Sequence, residues 1–148
     1  MEKQKTRAKV KKIEEKPVPK ERYFEGLGRR KTAVARVRIV KGNRDEVIIN
    51  GRELMKYFPL QKQANTAVSA FKQLSLKGYK TSVRVSGGGA SAQAEAVRLG
   101  VARALVLMDA ELRSRLKALG FLRRDPRMVE RKKYGLRKAR RPQQWRKR

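Results

Sequence analysis

Two kinds of residue in this chain could do chemistry: a glycine triplet, and repeated clusters of guanidinium and ammonium groups. Gly87-Gly88-Gly89 follows an alternating stretch and precedes a long apolar-patterned one, which puts it at a strand-to-helix junction. Backbone N–H groups at such a junction, with the positive end of the helix dipole, can hold one phosphate of a nucleic-acid backbone. The same glycines serve equally well as a tight connection with no ligand. Gly87-x-Gly89-x-x-Ala92 formally satisfies the dinucleotide fingerprint, and Asp109 lies about twenty residues on. That fingerprint needs its acid at the end of a second parallel strand, whereas Asp109 falls between two helical patterns. No Gly-Lys-Ser/Thr closes a Walker loop. Nucleotide binding is therefore not expected.

Catalysis has little to work with. The chain has no Cys and no His, so thiol nucleophiles, disulfides, Cys-rich zinc sites and imidazole bases or ligands are all excluded. The acids have ordinary structural explanations. Asp45 and Glu46 sit in a turn, and Asp109 and Glu111 lie at a helix start. Glu53 and Glu95 occupy first turns. The sequence predicts no catalytic residue, no metal site and no cofactor.

The cations form a different pattern. Arg29-Arg30-Lys31 stands just before a strand whose outward face adds Arg36 and Arg38, about 7 Å apart at ~3.3 Å per residue, close to the spacing of successive phosphates. The C-terminal stretch contributes Arg123, Arg124, Arg127, Arg131, Lys132, Lys133, Arg137, Lys138, Arg140 and Arg141, ending on Arg146-Lys147-Arg148. It is broken by Pro126, Gly135 and Pro142, has no core pattern, and offers Tyr134 and Trp145 for base stacking. Such a segment is expected to order when a polyanion supplies countercharge. Arginine dominates it, and the planar guanidinium fork suits bidentate phosphate contact.

Across 148 residues, 41 Lys or Arg against 13 Asp or Glu leave a net charge of +28. That imbalance points to nucleic acid or an anionic surface. No segment has the ~20 apolar residues of a membrane span or the pattern of a secretory signal, and the absence of Cys fits a reducing compartment. Residues 1–22 carry nine bases and four acids and read as a flexible basic arm. Residues 23–120 hold nearly all the patterned hydrophobicity and form the globular domain. Residues 121–148, with thirteen bases and two acids, form a basic tail that could reach ~90 Å if extended, against a ~13 Å radius of gyration for the core.

The elements that must position these groups follow from periodicity. Thr32 to Val40 alternates as a strand with a basic face, Gly42 to Asp45 makes a turn, and Glu46 to Ile49 returns, which predicts a hairpin ended by Asn50-Gly51. Arg52 to Phe58 predicts a short helix stopped by Pro59, and Ala64 to Leu74 a second. Tyr79 to Ser86 is a strand with Tyr79, Thr81, Val83 and Val85 on one face. Ala90 to Met108 is a long helix presenting Ala94, Val97, Val101, Ala104 and Leu105, with Ala110 to Leu119 as a further helix capped by Gly120. Interspersed strands and helices predict a two-layer α/β sandwich.

Three stretches closely resemble the bacterial-type small-subunit ribosomal protein nine family, across about residues 23–148. Gly28-Arg29-Arg30-Lys31-Thr32-Ala33-Val34-Ala35-Arg36-Val37 resembles its N-terminal signature. Gly87 to Leu105 resembles the central one. The third is Asp125-Pro126-Arg127-Met128-Val129-Glu130-Arg131-Lys132-Lys133-Tyr134-Gly135, with Ala139-Arg140-Arg141 and the terminal Lys147-Arg148. The resemblance implies a mixed sheet with helices on one face, a left-handed βαβ crossover and a long extended basic tail. It also implies a non-enzymatic constituent of the small ribosomal subunit; Glu2, Glu14, Glu15 and Glu21, too many acids for a mitochondrial presequence, point to cytoplasmic rather than organellar ribosomes. Its globular part would bind the 3′ major (head) domain of the rRNA through Arg29, Arg30, Lys31, Arg36, Arg38, the glycine triplet and the tail cations. Its tip, Arg146, Lys147 and Arg148, would meet peptidyl-site tRNA. Neighbouring head proteins would be its other partners, with no membrane and no homo-oligomer. From charge alone, an architectural DNA-binding protein of the basic-arm kind is the competing reading, because phosphate contacts carry no sugar identity.

Overall fold

The computed structural model describes residues 22–145. The arm assigned to residues 1–22, apart from Arg22, and the tip Arg146-Lys147-Arg148 lie outside the described residues. In chain order the elements are strands β1 (Phe24–Arg30), β2 (Ala33–Lys41), β3 (Glu46–Ile49) and β4 (Arg52–Glu53), helices α1 (Leu54–Tyr57) and α2 (Gln61–Leu74), strand β5 (Tyr79–Ser86), and helices α3 (Ala90–Met108) and α4 (Leu112–Ala118). The strands form one mixed sheet in the order β1-β2-β5-β3-β4. Its single parallel pair, β3 with β5, is joined through β4, α1 and α2.

Alternation decides which face is covered. Ala33, Ala35, Val37 and Ile39 of β2 are buried, as are Thr81, Val83 and Val85 of β5, while Arg36, Arg38, Lys80, Ser82 and Arg84 between them are exposed. The helices therefore cover one face only, giving the two-layer α/β architecture. The α3 helix is buried more widely than one stripe, through Ala94, Ala96, Val97, Leu99, Gly100, Val101, Ala102, Ala104 and Leu105. It packs on β1 and β2 with α2 beside it, whose Ala64, Ala67, Ala70 and Leu74 close the core.

The fold corrects the sequence-based expectations in three places. Arg52 and Glu53, expected to open a helix, form β4 instead, and the helix covers Leu54–Tyr57. Strand β1 forms although its Gly26 and Gly28 weaken any strand signal, and it pairs along β2 from Phe24↔Ile39 to Arg30↔Ala33. The hairpin expected across Gly42–Asp45 does not exist, because β5 lies between β2 and β3. The Gly42 N–H instead reaches the Gly78 carbonyl, and Asp45 Oδ1 accepts from the N–H groups of Gly78 and Tyr79. The true hairpin in this region is β3–β4. Asn50 and Gly51 both have positive φ, as a two-residue turn of this kind requires. Asn50 also continues the pairing past β3, since its amide exchanges two 2.9 Å hydrogen bonds with the backbone of Val85.

The closest packing in the molecule is backbone on backbone. A Cβ on Gly28 would lie 1.8 Å from the Ala96 carbonyl oxygen, and one on Gly26 would lie 2.1 Å from that of Gly100. A Cβ on Gly100 would meet Val37 Cγ2 at 2.6 Å. Ala96, Gly100 and Ala104 repeat every four residues, so one small-residue stripe of α3 rests directly on β1. Replacing Gly28 with Ala is expected to destabilise the protein by about 3 kcal/mol or more in a urea titration, at the upper end of overpacking costs, because the clash is with main chain that cannot rotate away.

Candidate nucleic-acid interface

Register turns an alternating sequence into a charged surface. On the open face of the sheet Arg36 stands directly opposite Arg84, and Arg38 opposite Ser82. On the other side of β2, Arg36 faces Leu27, Arg38 faces Glu25, and Arg29 flanks Val34. Like charges placed directly across a pair of strands repel each other and lower stability. Arg36 and Arg84 have that arrangement, and neither takes part in any of the ion pairs formed among the described residues. Arg38 is more occupied, with Nε 3.1 Å from Glu25 Oε2 and its guanidinium over the Tyr23 ring. Arg84 is a residue that sequence reading missed. Its outward position was readable from the alternation of β5, but its neighbour was not.

A second cationic region lies at the end of the sheet where β1 turns into β2. Lys31 sits at that turn with φ +50°, exposed. The glycine triplet packs against the same turn. Gly87 and Gly88 both have positive φ, and a Cβ on either would strike the chain at Thr32 or Ala33, at 2.5 and 2.9 Å. Those two glycines are required by the connection itself. Gly89 is different: it is the N-cap of α3, has ordinary extended backbone, and would find nothing within 4 Å of an added Cβ. The nucleotide fingerprint also fails structurally. After α3 the chain runs into α4 rather than a strand, and Asp109 accepts the Glu111 N–H at 2.9 Å in that connection.

Arg30 occupies a different setting from the other cations. It is on the covered face, its side chain 11% exposed, and its guanidinium is fully engaged within the protein. Its Nε donates to Glu95 Oε2 at 2.6 Å, Nη2 lies 2.8 Å from Asp125 Oδ2, and Nη1 donates to the Arg127 carbonyl at 2.8 Å. Asp125 also accepts from the Arg127 side chain and backbone N–H. Those Arg127 bonds, with the Arg127 and Arg30 charges behind them, hold the Asp125 carboxyl well below the usual carboxylate range, and Asp125 in turn raises the Arg127 guanidinium. Arg30 thus anchors the root of the tail, and the geometry removes it from the set of cations free to meet a phosphate. At Asp125–Arg127 the tail has partners within the protein, in Arg30 and in its own Asp125.

Beyond the root, Arg123, Arg124, Arg131, Lys132, Lys133, Arg137, Lys138, Arg140 and Arg141 are exposed. Glu130 pairs with Lys133 and Arg140, the chain turns at Gly135, and a bridge between Leu136 and Pro142 closes the loop over residues 137–141. The Tyr134 and Trp145 rings are exposed too, leaving their faces open. No group of acids among the described residues could hold a metal ion, and no described helix is long and apolar enough to cross a membrane.

A small α/β domain with a basic open sheet face and a basic tail rooted beside it is built to meet a polyanion. Residues 28–148 match the family described as ribosomal protein S9/S16, and the chain belongs to that family. It is therefore a small-subunit ribosomal protein that acts in translation, binds rRNA and resides in the ribosome. The family is structural rather than enzymatic.

Two measurements test this geometry. Gly88→Val should lower the stability of the free protein by about 2 kcal/mol or more, through strain at positive φ and contact with Ala33, whereas Gly89→Ala should cost less than about 1 kcal/mol. If a phosphate approaches the bare start of α3, Gly89→Ala will still weaken rRNA binding, and undiminished binding would leave the triplet a plain turn. The second measurement concerns Asp125. A depressed carboxyl contributes stability above its unfolded pKa, and loses it only as pH falls through the lower folded value. Hydrogen exchange of the Arg127 amide should thus stay protected from pH 7 down through pH 4, while Arg30→Met should speed trypsin cleavage at Arg123 or Arg124 about tenfold or more at neutral pH.

Proposed function

We propose that the protein binds the 3′ major (head) domain of small-subunit rRNA through the open face of its sheet and the adjoining β1–β2 turn, and that its tail continues to the peptidyl-site tRNA. The observation that carries this reading is the Arg36–Arg84 juxtaposition. Like charges held side by side on an open face disfavour the free protein and favour a bound polyanion, whose phosphates neutralise both. Arg29, Lys31 and Lys80 extend the same surface, with Gly89 leaving the first turn of α3 open beside it. The tail cations then follow the RNA backbone away from the core, with Tyr134 and Trp145 able to stack on unpaired bases. The chain acts as a single copy in cytoplasmic ribosomes, beside other head proteins and without catalysis.

The salt dependence of rRNA binding tests the surface. If about ten phosphates are neutralised, the log–log slope should be roughly −7 to −9, and Arg36→Ala or Arg84→Ala should each make it shallower by about 0.7–0.9. Neither substitution should destabilise the free protein in urea, since each removes a repulsive neighbour. A slope unchanged in both variants would place the interface elsewhere.

The tail is tested by removing its last three residues. Subunits containing protein that lacks residues 146–148 should assemble at full occupancy, because the remaining tail cations and the Arg30 anchor are intact. Peptidyl-site tRNA should then dissociate faster, with a loss of no more than about 1–3 kcal/mol, the scale of one or two charge-assisted hydrogen bonds. Unchanged dissociation at several salt concentrations would show that the tip does not stabilise tRNA.

A further inference from the structure

At the end of β5 opposite the glycine triplet, a groove of about 720 Å³ opens between the start of β3, the β4–α1 junction and the C-terminal half of α2. Its floor is apolar. Phe71 and Tyr79 stack with ring centroids 5.9 Å apart, Leu76 and Leu54 flank them, and Met55 stands half exposed at the mouth. An apolar concavity of this size is the kind of site that takes an inserted side chain. Large apolar side chains gathered at a surface opening, rather than closed into the core, call for a partner.

The rim limits what that partner can be. Asp45, Glu46 and Glu53 line the groove, three of the nine acids among the described residues, against Lys72 and Lys77. Their internal commitments are weak or partial. Glu46 is 3.9 Å from Lys80, and Glu53 meets Lys56 at 3.1 Å in a pair more than 70% exposed on both sides. Asp45 uses Oδ1 for the Gly78 and Tyr79 N–H groups, and Oδ2 makes no bond among the described residues. Exposed pairs of this kind exchange readily for a better-placed cation. RNA phosphate would be repelled by the three carboxylates and has nothing to offer the apolar floor.

We infer that this groove is a protein-docking site, and that its occupant is a segment of a neighbouring small-subunit protein carrying an aliphatic anchor flanked by Lys or Arg. The aliphatic side chain covers Phe71, Leu76 and Tyr79, and the flanking cations meet Asp45, Glu46 and Glu53. The molecule is then divided by chemistry, with RNA on the open sheet face and the glycine end, and protein at the opposite end of β5.

The absence of Cys permits a direct test. Met55→Cys introduces a single thiol at the mouth of the groove, to be labelled with a benzophenone maleimide and incorporated into whole small subunits. After irradiation, mass spectrometry should identify a crosslink to another small-subunit protein, within a peptide containing an aliphatic residue flanked by Lys or Arg. Adding Glu53→Lys should lower that yield about fivefold, the ratio matching an exposed ion pair of about 1 kcal/mol. A crosslink to rRNA, to residues 1–21 of the same chain or to a second copy would overturn the inference. So would no crosslink in fully assembled subunits, or a yield unaffected by Glu53→Lys.

Discussion

The contact of α3 with β1 is made without side chains between them, and most of the molecule is arranged around it. Gly26 and Gly28 on the strand, and Ala96, Gly100 and Ala104 on the helix, let two backbones approach to a distance no larger residue would permit. The approach fixes the height of α3 above the sheet and leaves little thickness for a core. Its interior accordingly interleaves small residues such as Ala33, Ala35, Ala94 and Ala102 with larger ones such as Ile39, Phe58, Leu105 and Leu116. A thin core stabilises less per residue than a thick one, since it removes less apolar area from water. The constraint has a benefit for the surface. Among the described residues, no helix covers the opposite face of the sheet.

The few acids in this basic chain act mostly at defined places. Glu95 and Asp125 converge on Arg30 and join β1, α3 and the root of the tail at one point. The three stretches that carry the family resemblance therefore meet in space, and one of their most prominent cations is structural. Arg30 is stabilised by carboxylates that hold it inside the protein, whereas Arg36 and Arg84 repel each other on the open face. Arg30 and Arg36, in one sequence motif, thus sit in opposite settings, decided by which face of the sheet they project from.

The same alternation sorts the two ends of β5. Its C-terminal end meets the β1–β2 turn and the glycine triplet, where Lys31 is exposed and the first turn of α3 has no side-chain cap. Its N-terminal end meets carboxylates and large apolar side chains. In a ribonucleoprotein particle such a division lets one small domain face nucleic acid on one side and protein on another. The tail then extends the basic surface without requiring a larger core.

Much of this was readable from residues alone. Alternation in Ala33–Lys41 and Tyr79–Ser86 determined both strands and which positions face solvent, because the period of a strand is fixed by its geometry. The helix over Ala90–Met108 and the Schellman-type end at Gly120, where the Phe121 N–H reaches the Leu116 carbonyl, followed from local pattern in the same way. Composition determined the class of partner, since no internal arrangement neutralises +28. Tertiary structure decided what depends on residues far apart in the chain. It inserted β5 between β2 and β3, which no local signal at Gly42–Asp45 encodes. It recruited the glycine-containing β1 as a strand because α3 needed a surface without side chains. It paired Arg36 with Arg84, and it turned Arg30 inward to two acids 65 and 95 residues away, a partnership set by packing and invisible to any window of sequence.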